Sequence, residues 1–225
     1  MKAPTGAPTE RGGRGRDFNH LGLSKRAGVG HDGRVPVLDL SPRISYCSSR
    51  GGMLLPRGEL NKALEVARWP GVALPAAKVL GSVVIPVVAI TGARERVKRG
   101  QGPLLDLETL DAWEAMFDGG VPAAPLRIVG FVSTAHRWSA AIEQVRSLGG
   151  LGAGMVISRA RAHALPLMDA DATGVWVVGV PPCEPQPRLW VTGRVGAVPT
   201  ARRTAATRLM EEALFAHALH HEMIS

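Results

Sequence analysis

VVIPVVAIT, residues Val83 to Thr91, is β-branched at most positions and bounded by glycines at Gly81 and Gly92. A short run that is apolar on both faces suits a strand covered on both sides, as a central or parallel strand is. Pro86 cannot donate a ladder hydrogen bond, so one side of this strand is expected to be unpaired or bulged. Upstream, Glu59 to Trp69 carries Leu60, Ala63, Leu64 and Ala67 on one helical face and is stopped by Pro70 and Gly71. Between the two, Ala73 to Leu80 reads as a second short helix closed by Gly81. Downstream, Arg94 to Gly102 reads as a charged turn. Asp106 then caps a helix to Phe117 whose Leu110, Trp113 and Phe117 share a stripe.

Beyond the linker-like Gly119 to Pro125, the pattern continues. Strands are expected at Leu126–Ser133, Met155–Ser158, Gly174–Val180 and Arg188–Thr192, with helices at Trp138–Leu148 and about Thr200–Glu222. Alternating strands and helices predict an α/β or α+β fold: a mixed central sheet flanked by helices, with a second, smaller α/β half. The implied organisation is a basic tail over 1–17, a first domain over 18–118 and a second half over 119–225. Ahead of the first helix, RVPVLDLSPRISYC holds two β-like pieces, Val35 to Leu40 and Arg43 to Cys47.

The chain has 225 residues, 45% of them apolar, which is enough to bury a core. Its longest apolar runs fall short of the roughly 20 residues a membrane span needs, so no membrane partner is expected. The first residues, MKAPTGAPTERGGRGR, lack the apolar centre of a signal peptide, and the expected location is cytoplasmic. Two cysteines, Cys47 and Cys183, make neither a disulfide framework nor a zinc site.

The net charge is +8, with ten Lys/Arg against five Asp/Glu in residues 1–60. Arginine supplies most of the excess and suits bidentate contact with phosphate. Arg11, Arg14, Arg16, Lys25, Arg26 and Arg43 are the candidate nucleic-acid contacts. A base composition favouring Arg, Ala, Gly and Pro codons would give the same balance, so the charge permits DNA as a partner without demonstrating it.

Other motifs carry less. GGLGAG, Gly149 to Gly154, follows a helix and opens a strand, the reverse of a phosphate loop, and reads as a helix cap and turn. His217, His220 and His221 have zinc-like spacing without a third-ligand neighbour and read as an exposed or helix-end cluster. Trp113, Trp138, Trp176 and Trp190 read as core or edge residues, because paired aromatics do not flank them.

From Asn19 to Glu114 the order is NHLGL, a glycine turn, VPVLD ending at Asp39, a strand, a GGML turn, PRGELNKALEVARW, the strand VVIPVVAITGA and LLDLETLDAW. This order resembles the nuclease-related domain family of actinobacterial and other proteins, in the restriction-endonuclease-like PD-(D/E)xK group. The resemblance covers about 100 residues and implies a restriction-endonuclease-like sheet. It puts Asp39 at the position of the catalytic, metal-binding acid and Ser41 where the family has its lysine. Asn19-His20 stands for the family's Asp-His pair, and the earlier glutamate has no counterpart.

Phosphodiester cleavage in such a site uses carboxylates to hold Mg²⁺ and a lysine to orient the attacking water. One carboxylate holds Mg²⁺ weakly, and loss of one electrostatic donor costs about 10²–10³ in rate. The resemblance therefore implies a nuclease-related protein impaired in catalysis, binding DNA or serving as a scaffold. Two alternatives stand beside it: an active Mg²⁺-dependent endonuclease, in which Asp39 cooperates with Glu59 or with Glu143, Asp169 or Asp171, and an α/β protein-interaction module without a nucleic-acid role. The protein partner of such a module is not legible in the sequence.

Overall fold

The computed structural model describes residues 45–46, 55–115, 123–134, 136–161, 163–182 and 186–224. The chain divides between Leu38 and Asp39 into two units, and the first unit lies outside the described residues. So do the expected 1–17 tail and the expected strand Val35–Leu40.

In chain order the elements are β1 (Ser45–Tyr46), α1 (Arg57–Val66), β2 (Val72–Ala73), β3 (Ala77–Val79), β4 (Ser82–Ile90), α2 (Ala93–Lys98), α3 (Leu107–Ala115), β5 (Leu126–Ser133), α4 (Trp138–Arg146), β6 (Ala153–Ser158), α5 (Ala164–Thr173), β7 (Trp176–Gly179), β8 (Arg188–Val191) and α6 (Ala205–His220). They form the expected mixed α/β architecture. The sheet runs β1-β3-β4-β5-β6-β7-β8, with β2 also pairing β4. Pairs β5–β6 and β6–β7 are parallel, and the others are antiparallel. Ile85 to Ile90 pairs with Leu126 to Val132, so one sheet crosses the linker-like stretch and serves both halves of the sequence.

One face of the sheet is covered by α1. Leu60, Ala63 and Leu64 pack there with Val87, Val132, Met155, Ile157 and Val178. On the opposite face Met210, Leu214 and Phe215 of α6 meet Val84, Val88 and Phe131. Farther along that face, Ile142 and Val145 of α4 and Ala170 of α5 meet Val156 and Val177. Both crossover helices of the parallel strands therefore lie on one side. That follows if both connections share one hand and advance in one direction along the sheet.

Pro86 behaves as its chemistry requires. On one side of β4 the neighbouring chain is interrupted between Ala77, opposite Val84, and Ala73, opposite Val87. On the other side the register slips between Val87 and Val88. The missing N–H thus falls where no neighbour needs it. Contrary to expectation, Ala73 to Leu80 is not a helix but holds the end of β2 and all of β3. Leu80 and Gly81 both have positive φ, 46° and 89°, and join β3 to β4 as a two-residue hairpin with Val79 opposite Ser82. Positive φ at both central residues matches the type I′ turn, whose twist fits the strands it links. Gly81 is therefore a hairpin residue and not a helix cap.

Two helices depart from expectation as well. The charged stretch after Gly92 folds into α2, and the N–H of its first residue, Ala93, converges with those of Thr91 and Gly92 on the Pro125 carbonyl at 2.9–3.2 Å. Helix α5 has no strong amphipathic signal, yet Pro166 in its first turn is harmless because that N–H has no intrahelical partner. Gly174, at φ 68°, terminates it. Helix α1 ends differently, with Arg68 left-handed at φ 53° and Trp69 N–H reaching the Leu64 carbonyl at 2.9 Å. This Schellman closure sets Trp69 over Gly130 and edge-on to Trp176, with ring centroids 6.3 Å apart.

The histidine cluster is exposed only in part. His217 is buried, and its Nε2–H donates to the Pro75 carbonyl at 3.0 Å, while His220 and His221 are exposed. Burial, more than any other influence, holds the His217 imidazole below its ordinary pKa. The Pro75 bond opposes this, and the charges of His221 and His220 reinforce it.

Candidate nucleic-acid interface

Parallel strands β5, β6 and β7 finish at Ser133, Ser158 and Gly179, and the chain leaves all three at one edge of the sheet. In open α/β sheets this edge is where ligands bind, because loops and helix starts gather there. Helices α4 and α5 begin after their strands at N-caps Arg137 and His163, and neither has a side-chain cap. Arg159, one residue past β6, holds Glu59 in the first turn of α1 at 2.6 Å, which brings a third helix start to the same edge. Pro56, the N-cap of α1, supplies no side-chain cap either. Unfilled N–H groups at helix starts carry partial positive charge and favour anions.

The side chains at this edge are basic. His136, Arg137, Arg161, His163 and Arg188 are exposed. Arg188 pairs in register with Gly179 at the start of β8. Arg137, Arg161 and Arg188 make no ion pair among the described residues. Their charge is therefore available to an outside anion. The Glu59–Arg159 pair is about one-third exposed on each side and is a weak tie. Beneath the edge, buried Ser133 donates its hydroxyl to Gln144 Oε1 at 2.6 Å and fixes α4 against β5.

Asp39, Ser41, Arg11, Arg14, Arg16, Lys25, Arg26 and Arg43 are all outside the described residues. Of the acids considered as their helpers, Glu59 is engaged by Arg159, and Glu143 is exposed beside Arg146 at 3.7 Å. Asp169 and Asp171 are exposed on α5. Among the described residues no three His, Cys, Asp or Glu side chains converge as a metal ion would require. No Mg²⁺-dependent step can be assigned to them.

A second charged centre escaped the sequence reading. Glu212, fully buried on α6, accepts from Arg96 Nη1 at 2.6 Å, Arg208 Nε at 3.2 Å and the Leu104 N–H at 3.0 Å. Arg96 also donates to the Gly102 carbonyl and lies 5.3 Å over the Phe215 ring, and Arg208 donates to the Ala123 carbonyl at 3.0 Å. The preceding residue, Glu211, takes a bidentate contact from Arg203 at 2.6 and 3.0 Å. Burial raises the Glu211 pKa above the carboxylate norm, with Arg203 and Arg208 opposing the shift. These charges tie α2, the 102–104 segment and residue 123 to α6. Arg96, Arg208, Glu211 and Glu212 are all buried, so they read as a structural lock. The signal was present: α6 has apolar residues around nearly its whole circumference, so its charges had to be buried.

A shallow groove of about 260 Å³ runs beside α1, lined by Arg57, Asn61, Glu65, Trp69, Gly71 and Val72. It is open, and its cation and anion offset each other.

No protein-family model, no curated protein and no solved structure matches this chain. Among the described residues no helix is long and apolar enough to cross a membrane.

Proposed function

We propose that this chain is a nuclease-related α/β protein, impaired in catalysis, that binds DNA through the edge where its parallel strands end. The observation that carries the reading is the set Arg137, Arg161 and Arg188, exposed at one edge without carboxylate partners, beside helix starts that lack side-chain caps. Guanidinium groups so placed match phosphate oxygens in geometry as well as charge. The arginine-rich stretch before residue 44 adds basic residues of the same kind. The order of motifs from Asn19 to Glu114 supports the nuclease-related ancestry, and Ser41 in place of lysine supports loss of cleavage.

The test is duplex binding by fluorescence anisotropy across a salt series, with plasmid cleavage in Mg²⁺ or Mn²⁺ run alongside. The expected result is salt-sensitive binding, weakened in Arg137→Gln/Arg188→Gln, with intact plasmid. Cleavage that disappears in Asp39→Ala would establish the active endonuclease instead. Absent binding at low salt would leave a protein-interaction module whose charge comes from base composition alone.

A further inference from the structure

We propose that α5 is a self-association surface on which the α5 helix of a second copy of this chain docks in antiparallel orientation. Helix α5 buries Ala170 and half-buries Leu167 against the protein. On the opposite side Leu165, Met168 and Ala172, at helical spacings of three and four, form an exposed apolar stripe, with Leu165 79% and Met168 66% accessible. The Arg194 N–H donates to the Gly174 carbonyl at 2.8 Å, so Val195, 85% accessible, extends the apolar surface at the end of α5. These three are the most exposed large apolar side chains among the described residues.

Charge identifies the occupant. Arg161 and His163 stand at the amino end of α5, and Asp169 and Asp171 in its carboxyl half flank the stripe on either side. None of the four makes an ion pair among the described residues. Basic at the start and acidic toward the end is the reverse of what the helix dipole favours, so the pattern does not stabilise α5 by itself. It is self-complementary in an antiparallel pair. A two-fold axis between Pro166 and Leu167 sets Leu165 against Met168 of the partner copy. The same axis sets Arg161 beside the partner's Asp171 and His163 beside the partner's Asp169. The two helix dipoles then also oppose, as an isologous contact allows. A ten-residue helix buries less than the ~1,200 Å² typical of stable complexes, so the association is weak and reversible.

The experiment is sedimentation equilibrium on the full chain without DNA, from about 1 to 500 µM, a range that spans weak association. Expected is a weight-average mass that climbs from one chain toward two, and one chain throughout for Leu165→Gln/Met168→Gln. Asp171→Lys should weaken association by about fivefold or more while its melting temperature holds or rises, since a cation suits that end of the helix. Adding Arg161→Glu to Asp171→Lys should restore most of the loss. A wild type that stays one chain overturns the proposal. So does a Leu165→Gln/Met168→Gln variant that dimerises normally, or a charge swap that rescues nothing. Arg161 is shared with the proposed DNA edge, whereas Leu165 and Met168 have no part in it and the DNA test uses Arg137 and Arg188, so failure here leaves that reading intact.

Discussion

Replacing Glu212 by Ala should remove more stability than any surface change in this protein. The carboxylate is 0% exposed and stands between Arg96 and Arg208, which are 8% and 5% exposed. It receives two guanidinium contacts and one backbone N–H. Its removal leaves two buried cations facing each other and the Leu104 N–H without its acceptor. Breaking a buried pair from one side costs about 3–5 kcal/mol, a large share of the ~5–15 kcal/mol by which domains are stable. For a chain of this size each kcal/mol is worth about 2–4 °C, so the melting temperature should fall by about 6–20 °C. Urea unfolding followed by circular dichroism gives the free energy, with an unchanged m-value indicating that the same surface unfolds. The companion measurement is Arg208→Met in wild type and in Glu212→Leu. The loss should be smaller by at least ~1 kcal/mol in the second background, because the cation no longer has its partner to lose. A Glu212→Ala cost below ~1 kcal/mol, or additive losses, would refute the structural-lock reading.

Three further outcomes follow from local geometry. Arg68 occupies the left-handed position that closes α1, so Arg68→Gly should raise stability by up to ~1 kcal/mol in thermal melts. Gly130 lies under the Trp69 ring and against the Ala153 carbonyl, so Gly130→Ala should destabilise by roughly 1–3 kcal/mol and shift Trp69 fluorescence. His217 titrates below its ordinary value when folded. The unfolded chain therefore gains its proton first as pH falls past about 6.5, and stability drops from there down to the folded pKa. His217→Gln keeps a donor for the Pro75 carbonyl and should flatten that part of the stability–pH curve, measured by urea titration at each pH.

The parts of the fold visible in sequence were those with long, unambiguous periodicity. Leu126–Ser133 appears with the bounds expected, and Trp138 opens α4 as its apolar spacing requires. Asp106 caps α3, accepting the Glu108 and Thr109 N–H groups at 3.3 and 3.2 Å. What failed were short elements fixed by tertiary pairing. Strands β2 and β3, of two and three residues, are too short to display alternation, and only their ladder to β4 makes them strands. Helix α5 lacks a clean amphipathic pattern because it carries apolar residues on two opposite faces, one of them turned to solvent. The candidate interface was partly legible, since Arg137, Arg159, Arg161 and Arg188 each sit just beyond or beside a strand end in the sequence. Their convergence depends on the parallel order β5-β6-β7, which no spacing along the chain encodes.

The most direct check on a phosphate-binding role is the slope of log affinity against log salt for a short duplex, compared between wild type and Arg137→Gln/Arg188→Gln. If both guanidinium groups meet phosphates, the slope should become shallower by about two, close to one per arginine, with affinity reduced alike for unrelated duplex sequences. A variant whose slope and affinity match wild type would show that this edge does not touch the nucleic acid.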